Sequence, residues 1–597
     1  MCGILGLISP AGHRVPFTRE EIVRAREALA HRGPDDDGLW DGGRVVFAHR
    51  RLIVVDPTAG GHQPWEHARG VLVYNGELYN DAELRAALSR EGWAFRTRSD
   101  TETVLAALAT WGPAGLDRLR GMYALVYFDA RTGETLLARD PLGIKPLYWT
   151  AFERDGVPHV AFASEIPGLL ALPGVGHAPD LATVSAYLTT IRTTLGARTL
   201  FRNIRTVLPG QVMRVDAGAR AHAGAAEWRI AAMRGGAPDE ARVREVVDGS
   251  VRAHLRADVP TCALLSGGLD SSIVCMLVRR ALPNLFTYAA GAATDAADDD
   301  LSWARRVAGE IGSVHVEAPV SRELFLERWP AMIRAMGVPL STPNEVAINA
   351  VARRLRADGK TVTLSGEGAD ELFGGYEHPL RQAAAYEAAR AAGADARHGG
   401  EFQLDDAAWV PRHAKAAVLN EDVWRGVEQD GVLVEEYRRV FEECRAAGAD
   451  DVLDPHLRFQ RRVNLIGLLQ RLDTATMLEG VEGRTPFADV EVARLAEALP
   501  MVSKFDPATS GVGGTKIALR RAFAGDVPRG VIERPKASFP LPFRDWLPGA
   551  SSWLRESKFA REVFTEAAVE TVAARAEELW QLAWPMLNIA MWGRRFV

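Results

Sequence analysis

Cys2 follows the initiator methionine in Met1-Cys2-Gly3-Ile4-Leu5-Gly6. Removal of that methionine would put a thiol and an α-amino group on one residue, a nucleophile beside a candidate base. A free thiol is only a few per cent thiolate at neutral pH. An α-amino group, with a pKa of about 7.7–8.0, is matched to take its proton directly or through water. Amide hydrolysis by a thiol also needs donors aimed at the oxyanion of the tetrahedral intermediate. Asn75-Gly76, after an apolar run, offers a side-chain amide and a backbone N–H. A free amino-acid substrate brings a carboxylate that Arg51 could clamp and an ammonium that Glu77 and Asp100 could hold. Singly, these residues have plainer readings. Asn-Gly is commonly a hairpin turn, and Arg51 or Asp100 could be a solvated surface charge. His62-Gln63-Pro64-Trp65-Glu66-His67 matches no common zinc spacing.

A second set of residues suits phosphate. The apolar run Cys262-Ala263-Leu264-Leu265 enters Ser266-Gly267-Gly268-Leu269-Asp270-Ser271-Ser272 and then a helical pattern. A Gly-rich turn opening a helix aims N–H groups and a favourable dipole at an anion. It is not the GxxxxGK[ST] loop, and neither is Gly359-Lys360-Thr361, where Arg354 stands at the first glycine position. A second acidic, Gly-rich loop runs Ser365-Gly366-Glu367-Gly368-Ala369-Asp370-Glu371 to Tyr376. Further on, Lys516 and Arg520 are spaced to share one helical face.

These residues need elements to hold them. Up to about residue 210 the chain shows short apolar or alternating runs at Ile4–Ile8, Val45–Ala48, Val71–Tyr74, Ala124–Phe128 and Thr135–Ala138, which predict strands. Helical patterns fall at Arg19–Ala30, Asp81–Glu91 and Asp100–Thr110, the last opened by a Ser99/Glu102 capping-box signature. Residues 211–240 are Ala- and Gly-rich and read as a linker. Beyond it, strand-like Thr261–Leu265, Phe286–Ala289, Val314–Val316 and Thr361–Leu364 alternate with helices, the signature of a parallel sheet. From about 380 onward the pattern is nearly all helical, and 385–415 reads as a surface insertion.

At 597 residues the chain is long enough for two to four domains of ~150 residues each. A net charge of −6 with no basic stripe predicts no nucleic acid partner. No apolar run reaches the ~18 residues of a membrane span. Cys2, Cys262, Cys275 and Cys444 are scattered without CxxC spacing, which points to a reducing compartment and makes a cytoplasmic location the default.

The N-terminal motifs stand in a recognisable order: CGI from Cys2, HRGPDDDG from His31, RRLIVVD from Arg50, YNGELYN from Tyr74, RSDTET from Arg98, GMYALVYFDA from Gly121 and ARDPLGIKPLY from Ala138. Together they resemble the class II glutamine amidotransferase domain, an N-terminal-nucleophile hydrolase with a stacked αββα fold. SGGLDSS resembles the pyrophosphate loop of the ATP pyrophosphatases, an adenine nucleotide alpha hydrolase-like fold. SGEGADELFGGY and the KIALRRAF segment resemble the matching parts of the asparagine synthetase family.

The resemblance implies an α/β protein of two domains: an amidotransferase at 2–210 and, after the linker 211–240, a synthetase at 241–597 whose C-terminal part is helical. It implies Cys2 as nucleophile, Asn75 and Gly76 as oxyanion hole, and Arg51, Asn75, Glu77 and Asp100 as glutamine ligands. ATP would lie on Leu264, Leu265, Ser266, Gly267, Gly268, Asp270, Ser271, Ser272, Ser365, Gly366 and Glu367, with Mg²⁺ on Asp270 and Asp370. Glu367 would be the general base, and Lys516 would neutralise phosphate charge. Arg471-Leu472-Asp473 and Glu482-Gly483-Arg484-Thr485-Pro486-Phe487 resemble segments lining the domain interface. The partners implied are glutamine, ATP and a small carboxylic acid, with a homodimer left open. Ammonia would cross between the sites through an apolar tunnel.

Aspartate is the expected acceptor. The sequence departs from the family pattern at Leu340–Ala347, Lys536–Pro540 and 291–300, so a specialised natural-product acid is the alternative. An amide-forming cyclase of this lineage would generally lack the intact Cys2. A non-catalytic scaffold would show losses in the two constellations.

Overall fold

The computed structural model describes residues 2–226, 230–292, 299–448, 451–535 and 541–597. Of the segments singled out in the sequence, Lys536–Pro540 and 293–298 lie outside the described residues, as does Met1.

The first half stacks an eight-stranded sheet on a six-stranded one, both antiparallel. Strand Cys2–Ile8 lies inside the larger sheet, between Val45–Arg51 and Val157–Ala163. Its alternation explains the stacking. Ile4 and Ile8 face the core between the sheets with Phe47, Val73 and Val126, while Leu5 and Leu7 face outward to Ile22 and Ala25 of helix Arg19–Glu27 and to Leu29 just after it. Helices Asp81–Arg90 and Asp100–Trp111 cover the outer face of the six-stranded sheet through Leu84, Leu88, Val104 and Leu108. The layers are therefore αββα.

Two local expectations change. Ser99 caps its helix by accepting from Thr101 N at 3.3 Å, but Glu102 does not return to Ser99. Its buried carboxylate instead accepts from the backbone of Arg96 and Thr97, at 3.0 and 2.7 Å, fixing the turn before the helix. Both arms of a capping box form instead at Thr18 and Glu21. In the expected linker, Gln211–Val215 pairs with Thr135–Arg139, and Ala221–Ala226 adds beyond it. Buried Met213 and Val215 hold this stretch in the sandwich core, so the sheet continues to 226 and the next helix begins at Glu240.

The second half carries a five-stranded parallel sheet. Its strands are Thr261–Leu264, Phe286–Ala292, Val314–Val320, Val362–Leu364 and Glu482–Arg484, in the order third, second, first, fourth, fifth. The chain reverses its direction of travel between the first and fourth strands. Such a switch point opens a crevice at the strands' carboxyl ends. Ser266–Ser272 and Ser365–Asp370 leave these two neighbouring strands there. The fifth strand, Glu-Gly-Arg, has no apolar residue to announce it, and its buried charges pair with each other, Arg484 Nε to Glu482 Oε1 at 2.6 Å.

The region 385–415 is mostly exposed over 391–398 but packed at 399–404. Helix Gly399–Asp406 lies against Gly431–Ala446. A Cβ on Gly399 would come within 2.1 Å of the Phe441 ring, and one on Gly400 within 2.4 Å of Tyr437 O. Gly399 and Gly400 are what allow the two helices to meet. Among the described residues no helix is long and apolar enough to cross a membrane.

Candidate functional site

Cys2 pairs with Arg51 across two strands, and its backbone N donates to Asn75 Oδ1 at 2.9 Å. Asn75 and Gly76 lie inside strand Gly70–Leu78, not in a turn. A Cβ on Gly76 would come within 2.3 Å of Met122 O, so glycine permits the close strand pairing there. Asn75 Nδ2 is buried without a partner among the described residues, a donor held ready beside Cys2. Cys2, Arg51, Gly76, Glu77 and Asp100 line one small cavity, to which Gln63, Ser99 and Thr101 also contribute. The Arg51 guanidinium braces the nearby loop, donating to Thr58 O at 3.0 Å and to the carbonyls of Val55 and Asp56.

Burial pushes the Cys2 thiol above its usual value, so the thiolate needs a base. Burial also raises Glu77 and Asp100, against the pull of cations from the other half of the chain. Arg484 Nη2 lies 3.4 Å from Glu77 Oε2, and Arg256 Nη1 lies 3.8 Å from Asp100 Oδ2. Neither arginine was a sequence-derived site residue, although the Arg484 segment reads as interface.

The second cavity, of about 310 Å³, lies at the switch point. Leu264, Leu265, Ser266, Gly268, Asp270, Ser271, Ser365, Gly366, Glu367, Asp370, Lys516 and Arg520 line it. Two expected members do not. Gly267, at φ +71°, backs onto the neighbouring helix, where a Cβ would come within 2.6 Å of Trp303 Cβ. Ser272 is buried and donates to Gly268 O at 2.7 Å, tying down the helix start.

Lys516 precedes helix Ile517–Ala522 in a left-handed conformation, φ 46°, so it does not share a helical face with Arg520. The unusual backbone aims its ammonium between two carboxylates, 2.5 Å from Asp270 Oδ2 and 2.7 Å from Asp370 Oδ1. Burial opposes the charge on Lys516, but the two aspartates raise it above the usual lysine value. Two hard-oxygen carboxylates converging on one point are a donor set that suits a phosphate-bound Mg²⁺. Among the described residues no group of three His, Cys, Asp or Glu is placed to hold a metal alone. Glu367 Oε1 is paired with Arg471 Nη2 at 3.0 Å. Arg534, missed in the sequence, also lines the cavity.

Buried charges join the halves. Arg32 bridges Glu165 at 2.6 Å and Asp473 at 2.8 Å, and Lys145 meets Asp473 at 3.1 Å. Beside them Leu52, Met122, Leu142 and Ile144 of the first half share an apolar cluster with Leu465, Leu469 and Met477 of the second.

An αββα half with an N-terminal cysteine cavity, joined to a parallel sheet with a Gly-rich anion loop, defines a glutamine amidotransferase fused to an amide ligase. Residues 1–225 match the family described as glutamine amidotransferase domain, and 242–594 the family described as asparagine synthase. The chain belongs to the asparagine synthase family. A Mycobacterium tuberculosis protein provisionally named a glutamine-hydrolysing asparagine synthetase is 35% identical, over 92% of this chain and 88% of its own. Asparagine synthetase (glutamine-hydrolysing) 1 of Bacillus subtilis is 29% identical, over 93% and 89%. A third relative, amidase chry2 of Gibberella zeae, is 30% identical over 63% of this chain and 60% of its own.

Proposed function

We propose that the chain uses glutamine as nitrogen donor to convert a carboxylic acid into its amide, with ATP cleaved to AMP and pyrophosphate. Cys2, freed of Met1, attacks the glutamine amide. Asn75 Nδ2 and Gly76 N–H receive the oxyanion, and water then releases glutamate. Arg51, Glu77 and Asp100 hold the substrate's charged ends. In the second cavity a carboxylate oxygen attacks the α-phosphorus of ATP. A C–O–P linkage forms, the bond to the β-phosphate breaks, and pyrophosphate leaves. Ammonia attacks the acyl carbon, AMP leaves, and one proton is lost, with Glu367 placed to take it. Asp270 and Asp370 would hold Mg²⁺, which would draw negative charge from the phosphates. The apolar cluster between the halves suits passage of neutral NH₃.

The observation that carries this reading is the convergence of Asp270, Asp370 and Lys516 at the Gly-rich loop. Aspartate is the acceptor that the relatives' names favour. A specialised acid is the second reading, supported by the largely apolar lining of a cavity between the halves, and one relative is named an amidase rather than a synthetase. Incubation with glutamine, ATP, Mg²⁺ and aspartate should yield asparagine, AMP and pyrophosphate. ADP as the nucleotide product would refute adenylation.

A further inference from the structure

A third cavity, of about 140 Å³, opens between the two halves. Among the described residues, Arg471 alone lines both it and the nucleotide cavity. The Arg471 guanidinium reaches Glu367 at 3.0 Å and Thr342 Oγ1 at 3.2 Å, and its buried Nε has no partner among the described residues. A cation therefore stands between the two spaces with one donor unused.

The wall beyond Arg471 is largely apolar, built from Leu195, Leu208, Met336, Val338, Val440 and Ile466. Most of the charged residues around it are already engaged, although the buried Nε of Arg192 has no partner among the described residues. Arg461 pairs with Glu497, Arg462 with Glu443, and Arg439 with Glu436 and Glu443. Arg192 donates to Val463 O at 2.7 Å. Glu345 accepts from Ser341 N at 2.6 Å and Thr342 N at 3.1 Å, which makes it part of the frame. One side is a π-helical turn, Arg461–Leu465, a feature frequent at functional sites.

An amino-acid acceptor such as aspartate carries an ammonium and a second carboxylate, and burying either without a partner is costly. The apolar stretch of this wall offers neither partner. An apolar cavity of about 150 Å³ accepts a benzene-sized group. We propose that this cavity holds the body of the acceptor, a monocarboxylic acid with an apolar group of about phenyl size, its carboxylate carried on Arg471 into the nucleotide cavity. The proposal rests on the reading that the chain adenylates a carboxylate.

The test uses the full chain with ATP, Mg²⁺ and ammonium chloride, and measures pyrophosphate and AMP. Phenylacetate and 3-phenylpropanoate are the probes, with aspartate alongside. At least one aryl acid should give a KM about tenfold or more below that of aspartate. Ile466→Trp and Val338→Phe, which fill the cavity, should each raise that KM about tenfold while glutamine hydrolysis by the same samples stays near the parent rate. Retained hydrolysis also shows that the variants fold. No pyrophosphate release with either aryl acid overturns the inference, whether or not aspartate reacts, and so does an aryl-acid KM unmoved in both filled variants. Formation of AMP with aspartate alone would sink this inference and leave the amide-ligase reading standing. ADP with every acid would sink that reading.

Discussion

Arg484 of the parallel sheet lies 3.4 Å from Glu77 in the Cys2 cavity, while its own carbonyl accepts from Ser365 N at 2.8 Å where the second nucleotide loop begins. One residue thus contacts a member of each cavity. Its Nη1 also donates to the carbonyls of His254 and Arg256, at 2.7 and 2.6 Å, while Nε meets Glu482 and Nη2 faces Glu77, a fork that lysine cannot reproduce. An incoming ammonium must share Glu77 with Arg484. In Arg484→Lys the glutamine KM should shift about tenfold, while ammonia-dependent amide formation changes less than about threefold. Arg484→Met leaves Glu77 and Glu482 buried beside a missing cation, which should cost about 3–5 kcal/mol and lower the melting temperature. Equal loss of both activities in the lysine variant would show that Arg484 acts only through the fold.

Cys2→Ala removes the thiol but leaves the nucleotide cavity untouched. Glutamine-dependent amide formation should fall to background, and activity with ammonium chloride should stay within about twofold of the parent, because external ammonia bypasses the thiol. Parallel assays of the two nitrogen sources check this. Mass spectrometry of the parent should show the chain beginning at Cys2. A retained Met1 would leave only the ammonium-driven reaction.

What was legible in the sequence was what short spacing carries. Cys2, Asn75-Gly76 and the loop after Leu265 suggest their chemistry within a few residues, and short apolar and helical runs announced a sheet-rich half followed by a parallel sheet, while the αββα layering was implied by the resemblance. What was hidden depends on distant pairing. Arg256 and Arg484 reach Asp100 and Glu77 only because the halves dock. Strand Glu482–Arg484 is made of charges, and Gln211–Ala226 is rich in residues that usually mark a linker. Gly267 and Ser272 belong to the loop motif, yet one faces a neighbouring helix and the other its own turn. Lys516 was expected beside the Gly-rich loops from the resemblance, but its left-handed backbone was not.

Gly375 tests the Lys516 arrangement without deleting a charge. A Cβ there would stand 1.9 Å from Asp370 Oδ1 and 2.2 Å from Lys516 Cε. Neither can retreat freely, since both belong to the Asp270–Lys516–Asp370 group and Lys516 is buried. Gly375→Ala should lower pyrophosphate release by about 10²-fold or more, the scale of losing one aligned electrostatic contact at a reaction centre. Glutamine hydrolysis should persist. An alanine variant with the parent's pyrophosphate rate would mean that the observed geometry is not the working one.

Glu165 tests the interface through pH. Burial alone would raise its pKa, but His31 and Arg32 outweigh that and hold it at about 2, against 4.5 for an ordinary glutamate. A depressed carboxylate stabilises the folded state above its unfolded value and loses that contribution as pH falls through the folded one. The full effect, about 3 kcal/mol, is therefore present at pH 7, and about two fifths of it is gone by pH 3.5. Glu165→Gln should melt several degrees below the parent at pH 7, and the gap should narrow steadily below about pH 4.5. Thermal melts of both proteins from pH 7 to 3.5 measure it. A gap that stays constant across that range would show that Glu165 contributes packing rather than charge, and that Arg32 is held by Asp473 alone.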